Sequence, residues 1–152
     1  MKHYDKLIFV SKSDTATGPM AEAIMSRRFL LEDILILSKG LVVLFPEPLN
    51  PKAEAVLAAH DLTMKNHMSE PLSESDFDDR TLVLTISAGE KEQLLGDFKD
   101  PVNVFSLTEY IGGDQETEDP YGGTLGSYGK CFEQLSAQIG RLADILKTEE
   151  EG

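Results

Sequence analysis

Residues 7–24 read Leu7-Ile8-Phe9-Val10-Ser11-Lys12-Ser13-Asp14-Thr15-Ala16-Thr17-Gly18-Pro19-Met20-Ala21-Glu22-Ala23-Ile24: an apolar run, a loop of small residues, and a helical stretch opening at a proline. A strand that enters a helix through such a loop aims backbone amides and a helix N-terminus at one point, the arrangement that cradles phosphate. Between Val10 and Pro19 there is no cysteine, no arginine and no glycine-lysine pair. The stretch is a phosphate scaffold without the reactive groups that would act on phosphate.

Outward from that stretch the same alternation repeats. Lys6 to Val10 is branched and aromatic, a buried strand, and Pro19 to about Leu31 carries apolar residues at Met20, Ala23, Ile24 and Leu31, a helix. Met20 and Met25 fill core. Ile34 to Leu37 is a second strand, closed by the turn Ser38-Lys39-Gly40. Asn50-Pro51 predicts an N-cap and first-turn proline for a helix ending near Asp61. Thr81 to Ile86 is a third strand, and Ser87-Ala88-Gly89-Glu90 is a capping box opening a helix to about Phe98. Val102 to Leu107 is a fourth strand, and Thr124 to Lys147 has apolar residues every three or four positions, a long amphipathic helix. Alternating strands and helices predict a single α/β domain: a four-stranded parallel sheet with about five helices covering both faces. The domain is expected over residues 1–147, with residues 148–152 an acidic disordered tail. The ligand crevice of such a sheet lies past the strands' carboxyl ends where strand order reverses, at the loop after the first strand.

The chain has 152 residues, 14 basic and 27 acidic, for a formal charge of −13. That charge opposes nucleic acid and anionic membrane surfaces as partners. The N-terminus leads straight into a strand, without the apolar core of a secretory signal, and a cytoplasmic location is expected. The single cysteine, Cys131, lies on a helix and reads as a packing residue. His3, His60 and His67 lack ligand spacing and read as helix-face or loop residues. Asp14, Glu118 and Asp119 are carboxylates of the type that holds hard cations, but ordinary surface acids account for them. Neither metal nor cofactor is expected.

Two separated motifs carry a family resemblance. Ile8-Phe9-Val10 with Pro19-Met20-Ala21-Glu22-Ala23, and Asp119-Pro120-Tyr121-Gly122-Gly123, resemble the flanks of the Cys-x5-Arg loop and the Asp-Pro-Tyr/Phe-Gly-Gly segment of the low-molecular-weight protein tyrosine phosphatases. Ser38-Lys39-Gly40-Leu41 and Asn50-Pro51-Lys52-Ala53 through Leu62 agree with the family's middle. The resemblance spans nearly the whole chain and implies the family's fold, a three-layer sandwich whose four-stranded parallel sheet has the order 2-1-3-4. In that family the cysteine attacks phosphorus, the arginine grips the phosphoryl oxygens as a fork, and the aspartic acid protonates the leaving group. It places the nucleophile at Ser11, the arginine at Thr17, the thiolate-stabilising residue at Gly18 and the acid at Asp119, so that only the last keeps its type. Lys12, Ser13, Asp14, Thr15, Ala16 and Gly18 form the loop, and Tyr121 and Tyr110 are expected to line its mouth.

A hydroxyl needs an adjacent base to attack phosphorus, and the loop offers none beyond Asp14. The resemblance therefore implies an inactive or strongly impaired member, a pseudophosphatase serving as a binding or regulatory module for a phosphoprotein or another protein. The alternative is a phosphomonoesterase acting through Ser11 or a water molecule, with Asp119 as acid. A loop kept only as a strand-to-helix connection, with no ligand, is a third reading.

Overall fold

The computed structural model describes residues 4–28 and 34–151. Its order is β1 (Lys6–Ser11), α1 (Thr17–Arg28), β2 (Leu35–Gly40), α2 (Pro51–Ala59), β3 (Thr81–Thr85), α3 (Ala88–Asp97), β4 (Val104–Ser106), α4 (Leu107–Ile111) and α5 (Leu125–Glu151), with a 3₁₀ turn at Glu74–Asp76. All four strands are parallel and lie in the order β2-β1-β3-β4. Phe9 of β1 stands between Ser38 of β2 and Leu84 of β3.

Side chains alternate across a strand, so the two faces of β1 build two cores. Leu7 and Phe9, with Leu82 and Leu84 of β3, pack under α1, α2, α4 and α5, where Met20, Met25, Leu57, Leu107, Leu135, Ile139 and Leu142 are buried. Ile8 and Val10, with Val83 and Val104, meet Leu72, from the segment ahead of the 3₁₀ turn, and Leu94 of α3 on the other face. Both faces are thus covered, and the parallel sheet has no solvated side.

Several boundaries differ from the sequence expectation. Helix α1 starts at Thr17, ahead of Pro19, because first-turn amides have no intrahelical partner and proline sacrifices nothing there. Leu31, expected near its end, lies outside the described residues, as does His3. The fourth strand is shorter than Val102 to Leu107, and Leu107 instead opens the short helix α4. Ser106 caps it, accepting from the Glu109 amide at 3.1 Å, and Gly112 closes it at φ 70°. At the other end α5 runs past Lys147 to Glu151, so residues 148–151 continue the helix instead of forming a separate tail. The Thr148 hydroxyl donates to the Asp144 carbonyl at 2.9 Å, and the Tyr110 hydroxyl donates to the Glu149 carboxylate at 3.2 Å. These ties hold the last turns down.

Candidate functional site

The loop after β1 occupies the expected crevice, since β1 is the strand at which sheet order reverses. Ser11 is 3% exposed and its Oγ accepts the Asp14 amide at 3.1 Å. No carboxylate or imidazole among the described residues hydrogen-bonds Ser11 Oγ. Thr17 is buried at the start of α1 on the wall of the same cleft. At Gly18 a Cβ would lie 2.8 Å from Ser11 Oγ, so a larger residue there requires Ser11 to move.

Asp14 is the structural centre of the loop. Its φ of 57° lies in the left-handed region that Asp and Asn tolerate best among residues with side chains. It is fully buried, and its Oδ2 accepts the Glu70 amide at 3.0 Å. His67, whose Nε2 is 2.7 Å from the Asp14 carbonyl and 3.6 Å from Oδ2, holds the bend from below. Gly40 lets β2 approach closely: a Cβ there would come within 3.1 Å of the Asp14 amide and 2.6 Å of Val43. Asp14 Oδ1 and Ser38 Oγ are buried without a hydrogen-bond partner among the described residues. Asp14 thus braces the loop.

Burial pushes the Asp14 carboxyl above its ordinary value, against the pull of the Glu70 amide and His67. A carboxyl raised in the folded state is stability-neutral below its unfolded value of about 3.9, and stability falls as pH climbs from there through the folded value, beyond which the loss is constant. Asp14→Asn removes that charge while keeping an acceptor for the Glu70 amide. The variant is expected to gain stability over the natural chain, with a gain that grows as pH rises above about 4 and levels off once the folded carboxyl has ionised. Urea midpoints across that range measure it, and a pH-independent loss contradicts the assignment.

Across the cleft stands a group that sequence reasoning saw only as a helix cap. Glu90 Oε1 accepts the Ser87 amide at 3.0 Å, closing the α3 capping box, while Oε2 accepts the Lys12 amide at 2.9 Å. A carboxylate of the protein's own therefore occupies an amide of the loop. Burial raises the Glu90 pKa and the charge of Asp119 raises it further, while the two amides hold it back. The remaining wall is Asn50, Tyr121 and Tyr128, around a cleft of about 60 Å³. Asp119 keeps its expected place there, its Oδ1 accepting the Tyr121 amide at 3.0 Å.

The structure gathers Ser11, Lys12, Ser13, Thr15, Ala16, Thr17, Asp119 and Tyr121 on one cleft, with Asp14 and Gly18 in direct support. Tyr110 is not part of it. Helix α4 turns that residue onto Phe105, with ring centroids 5.2 Å apart, and toward Glu149 near the end of α5. Its place on the wall is taken by Tyr128, from the first turn of α5. Cys131, one turn further on, is buried, and burial with the nearby Asp119 charge pushes its thiol up to about 12. It is a packing residue, as its helical position predicts. His60 stacks on Phe132 at 4.0 Å between centroids, a helix-face contact. Among the described residues no group of three His, Cys, Asp or Glu is placed to hold a metal ion, and no helix is long and apolar enough to cross a membrane.

Comparison with known proteins agrees with this geometry. The family model described as low molecular weight phosphotyrosine protein phosphatase matches residues 6–151. The low molecular weight protein-tyrosine-phosphatase PtpB of Staphylococcus haemolyticus is 32% identical over 140 residues, covering 90% of this chain and 96% of that protein. The crystal structure of a low molecular weight protein tyrosine phosphatase from T. tengcongensis superposes with a TM-score of 0.86 at 29% identity, over 93% of this chain and 99% of the other. A serine mutant of the YwlE arginine phosphatase whose active-site serine is phosphorylated superposes at 0.82 with 30% identity, over 93% and 95% of the two chains. With a match from the first strand through the last helix, and the loop and acid segment facing one another, the chain belongs to the low molecular weight phosphotyrosine protein phosphatase family.

Proposed function

We propose that this chain is a cytoplasmic family member that keeps the phosphate-loop architecture without phosphatase turnover, and that it works as a binding or regulatory module for a protein partner, a phosphoprotein or another. One observation carries the reading. At the position of the nucleophile stands Ser11, buried and with no base hydrogen-bonded to it among the described residues, and the side-chain carboxylate bonded to a loop amide, Glu90, opposes an incoming phosphate. Thr17 adds no charge to counter it. Hydrolysis of p-nitrophenyl phosphate and of a phosphotyrosine peptide is expected at the uncatalysed rate. Robust turnover lost in Ser11→Ala would overturn the reading.

The second reading, phosphomonoester cleavage through Ser11 or water with Asp119 as acid, draws on the YwlE mutant. In that protein a serine in the active site carries phosphate. A phosphoserine that persists is a stalled half-reaction, however, because turnover also needs an activated water. If this reading is right, Asp119→Asn removes a measurable rate and the natural chain accumulates phosphate on Ser11, which intact-mass measurement after incubation with substrate detects.

A further inference from the structure

Two of the chain's arginines have evident structural partners: Arg80 pairs with Asp5 at 2.8 Å, and Arg141 donates to the Ile111 carbonyl at 2.8 Å. The other two, Arg27 and Arg28, close α1, and neither has a carboxylate partner among the described residues of a chain with 27 acids. Both line a cavity of about 410 Å³ between α1, the end of α2 and α5, a volume within the range of small-ligand sites. Arg27 Nη1 donates to the His60 carbonyl at 2.7 Å, which fixes the guanidinium and leaves its other N–H groups for a ligand. Arg28 lies against α5 where Gly140 has no side chain, since a Cβ there would come within 3.4 Å of Nη1. Phe132, Ser136 and Gly140 stand four residues apart on α5, so an aromatic ring, a hydroxyl and the seat of Arg28 share one face of the helix. His60 stacks on Phe132, and its Nδ1 donates to the Val56 carbonyl at 2.9 Å, so the ring is held as a flat wall.

We propose that this cavity is a second ligand site, separate from the loop, for an oxyanion carried on an aromatic ring. The helix dipole favours basic residues in a last turn, but it does not require both to line one cavity whose wall holds no carboxylate. Two guanidiniums grip phosphoryl or carboxylate oxygens as forks, and the Ser136 hydroxyl adds a donor. Ile24, Leu62 and the stacked rings of His60 and Phe132 supply the apolar surface on which the ligand's own ring lies. The loop cleft offers neither: it encloses about 60 Å³ and has Glu90 and Asp119 on its wall. A phosphotyrosine side chain on a protein partner and a free aryl phosphate share the chemistry this cavity fits. The inference goes beyond the reading of the loop and does not depend on it.

The test is an amide-resolved NMR titration of the full chain with phenyl phosphate, N-acetyl-phosphotyrosine methylamide, its unphosphorylated counterpart and inorganic phosphate. The two aryl phosphates are expected to shift the amides of residues 24–28, 60–62 and 132–140 saturably, with the other two probes weaker by about tenfold or more. Arg27→Gln and Arg28→Gln should each weaken the aryl phosphates by about tenfold, and Arg28→Lys should recover only part of that loss, because an ammonium is not a fork. Lys99→Gln, which removes an exposed cation beyond α3, should leave the affinity unchanged. Tighter binding of the phosphotyrosine probe supports a protein-borne ring, and tighter binding of phenyl phosphate supports a free one. Shifts confined to residues 12–18, an unchanged affinity in Arg28→Gln, an equal response to the unphosphorylated probe, or no saturable shift overturns the proposal. Hydrolysis of a probe would appear as free phosphate in the phosphorus spectrum, and it would overturn the reading of the loop while leaving the map of this cavity to stand or fall by itself.

Discussion

Replacing Ser11 by Cys and Thr17 by Arg together is expected to raise p-nitrophenyl phosphate hydrolysis by at least ~10² over the natural chain, the scale set by a single transition-state donor. Ser11 stands at the end of β1 and beside the start of α1, where a helix N-terminus and loop amides lower a thiol's pKa. A guanidinium at position 17 would supply the missing fork for two phosphoryl oxygens, from a wall of the same cleft. Groups that act as a unit do not contribute singly, so each substitution alone is expected to give less than tenfold. Two native features work against full recovery. Glu90 remains on the Lys12 amide, and Gly18 offers no hydroxyl to steady a thiolate. Adding Glu90→Gln should therefore raise the rate again. A folded double variant with no gain in kcat/KM would mean that the loop amides no longer converge on a phosphoryl group.

Phe9→Ala should cost about 3–5 kcal/mol, the range for emptying a fully buried aromatic site. Phe9 is 0% exposed on the central strand and belongs to the larger core, against the helices of one face. A domain of ordinary stability has only about 5–15 kcal/mol in total, so the variant should sit near its folding threshold. Urea unfolding is expected to show a much lower midpoint with an unchanged slope. Phe9→Leu, which refills most of the volume, should recover more than half of the loss. A cost below about 1 kcal/mol for the alanine variant would contradict the close packing of this face. Because β1 delivers Ser11 to the cleft, the same variant should also blur the loop's amide resonances before the chain unfolds.

Much of this molecule was legible in the sequence because its signals are local. The apolar runs of β1 and β3, the Asn50-Pro51 start of α2 and the Ser87-to-Glu90 box were read correctly, since each is decided by neighbours within four residues. Helix α4 escaped notice because five residues are too few to display a period. The site was legible in its positions and opaque in its contacts. The bond from Glu90 to Lys12 spans 78 residues and the contact of His67 with Asp14 spans 53, distances at which sequence pattern carries no register. Tyr110 was misplaced for the same reason. Nearness to the acid segment along the chain suggested nearness in space, and α4 turns it elsewhere.

Cys131 gives the folded chain a built-in clock. As the only sulfhydryl in the sequence, held at a pKa of about 12 and buried on α5 behind the cleft, it presents roughly one thiolate in 10⁵ at pH 7. Alkylation under native conditions must wait for that part of the helix to open. Its rate, divided by that of an exposed cysteine peptide, gives the opening equilibrium of α5 at a single residue. A ligand seated against Tyr128, one turn away, would slow that clock in proportion to how firmly it holds the helix shut.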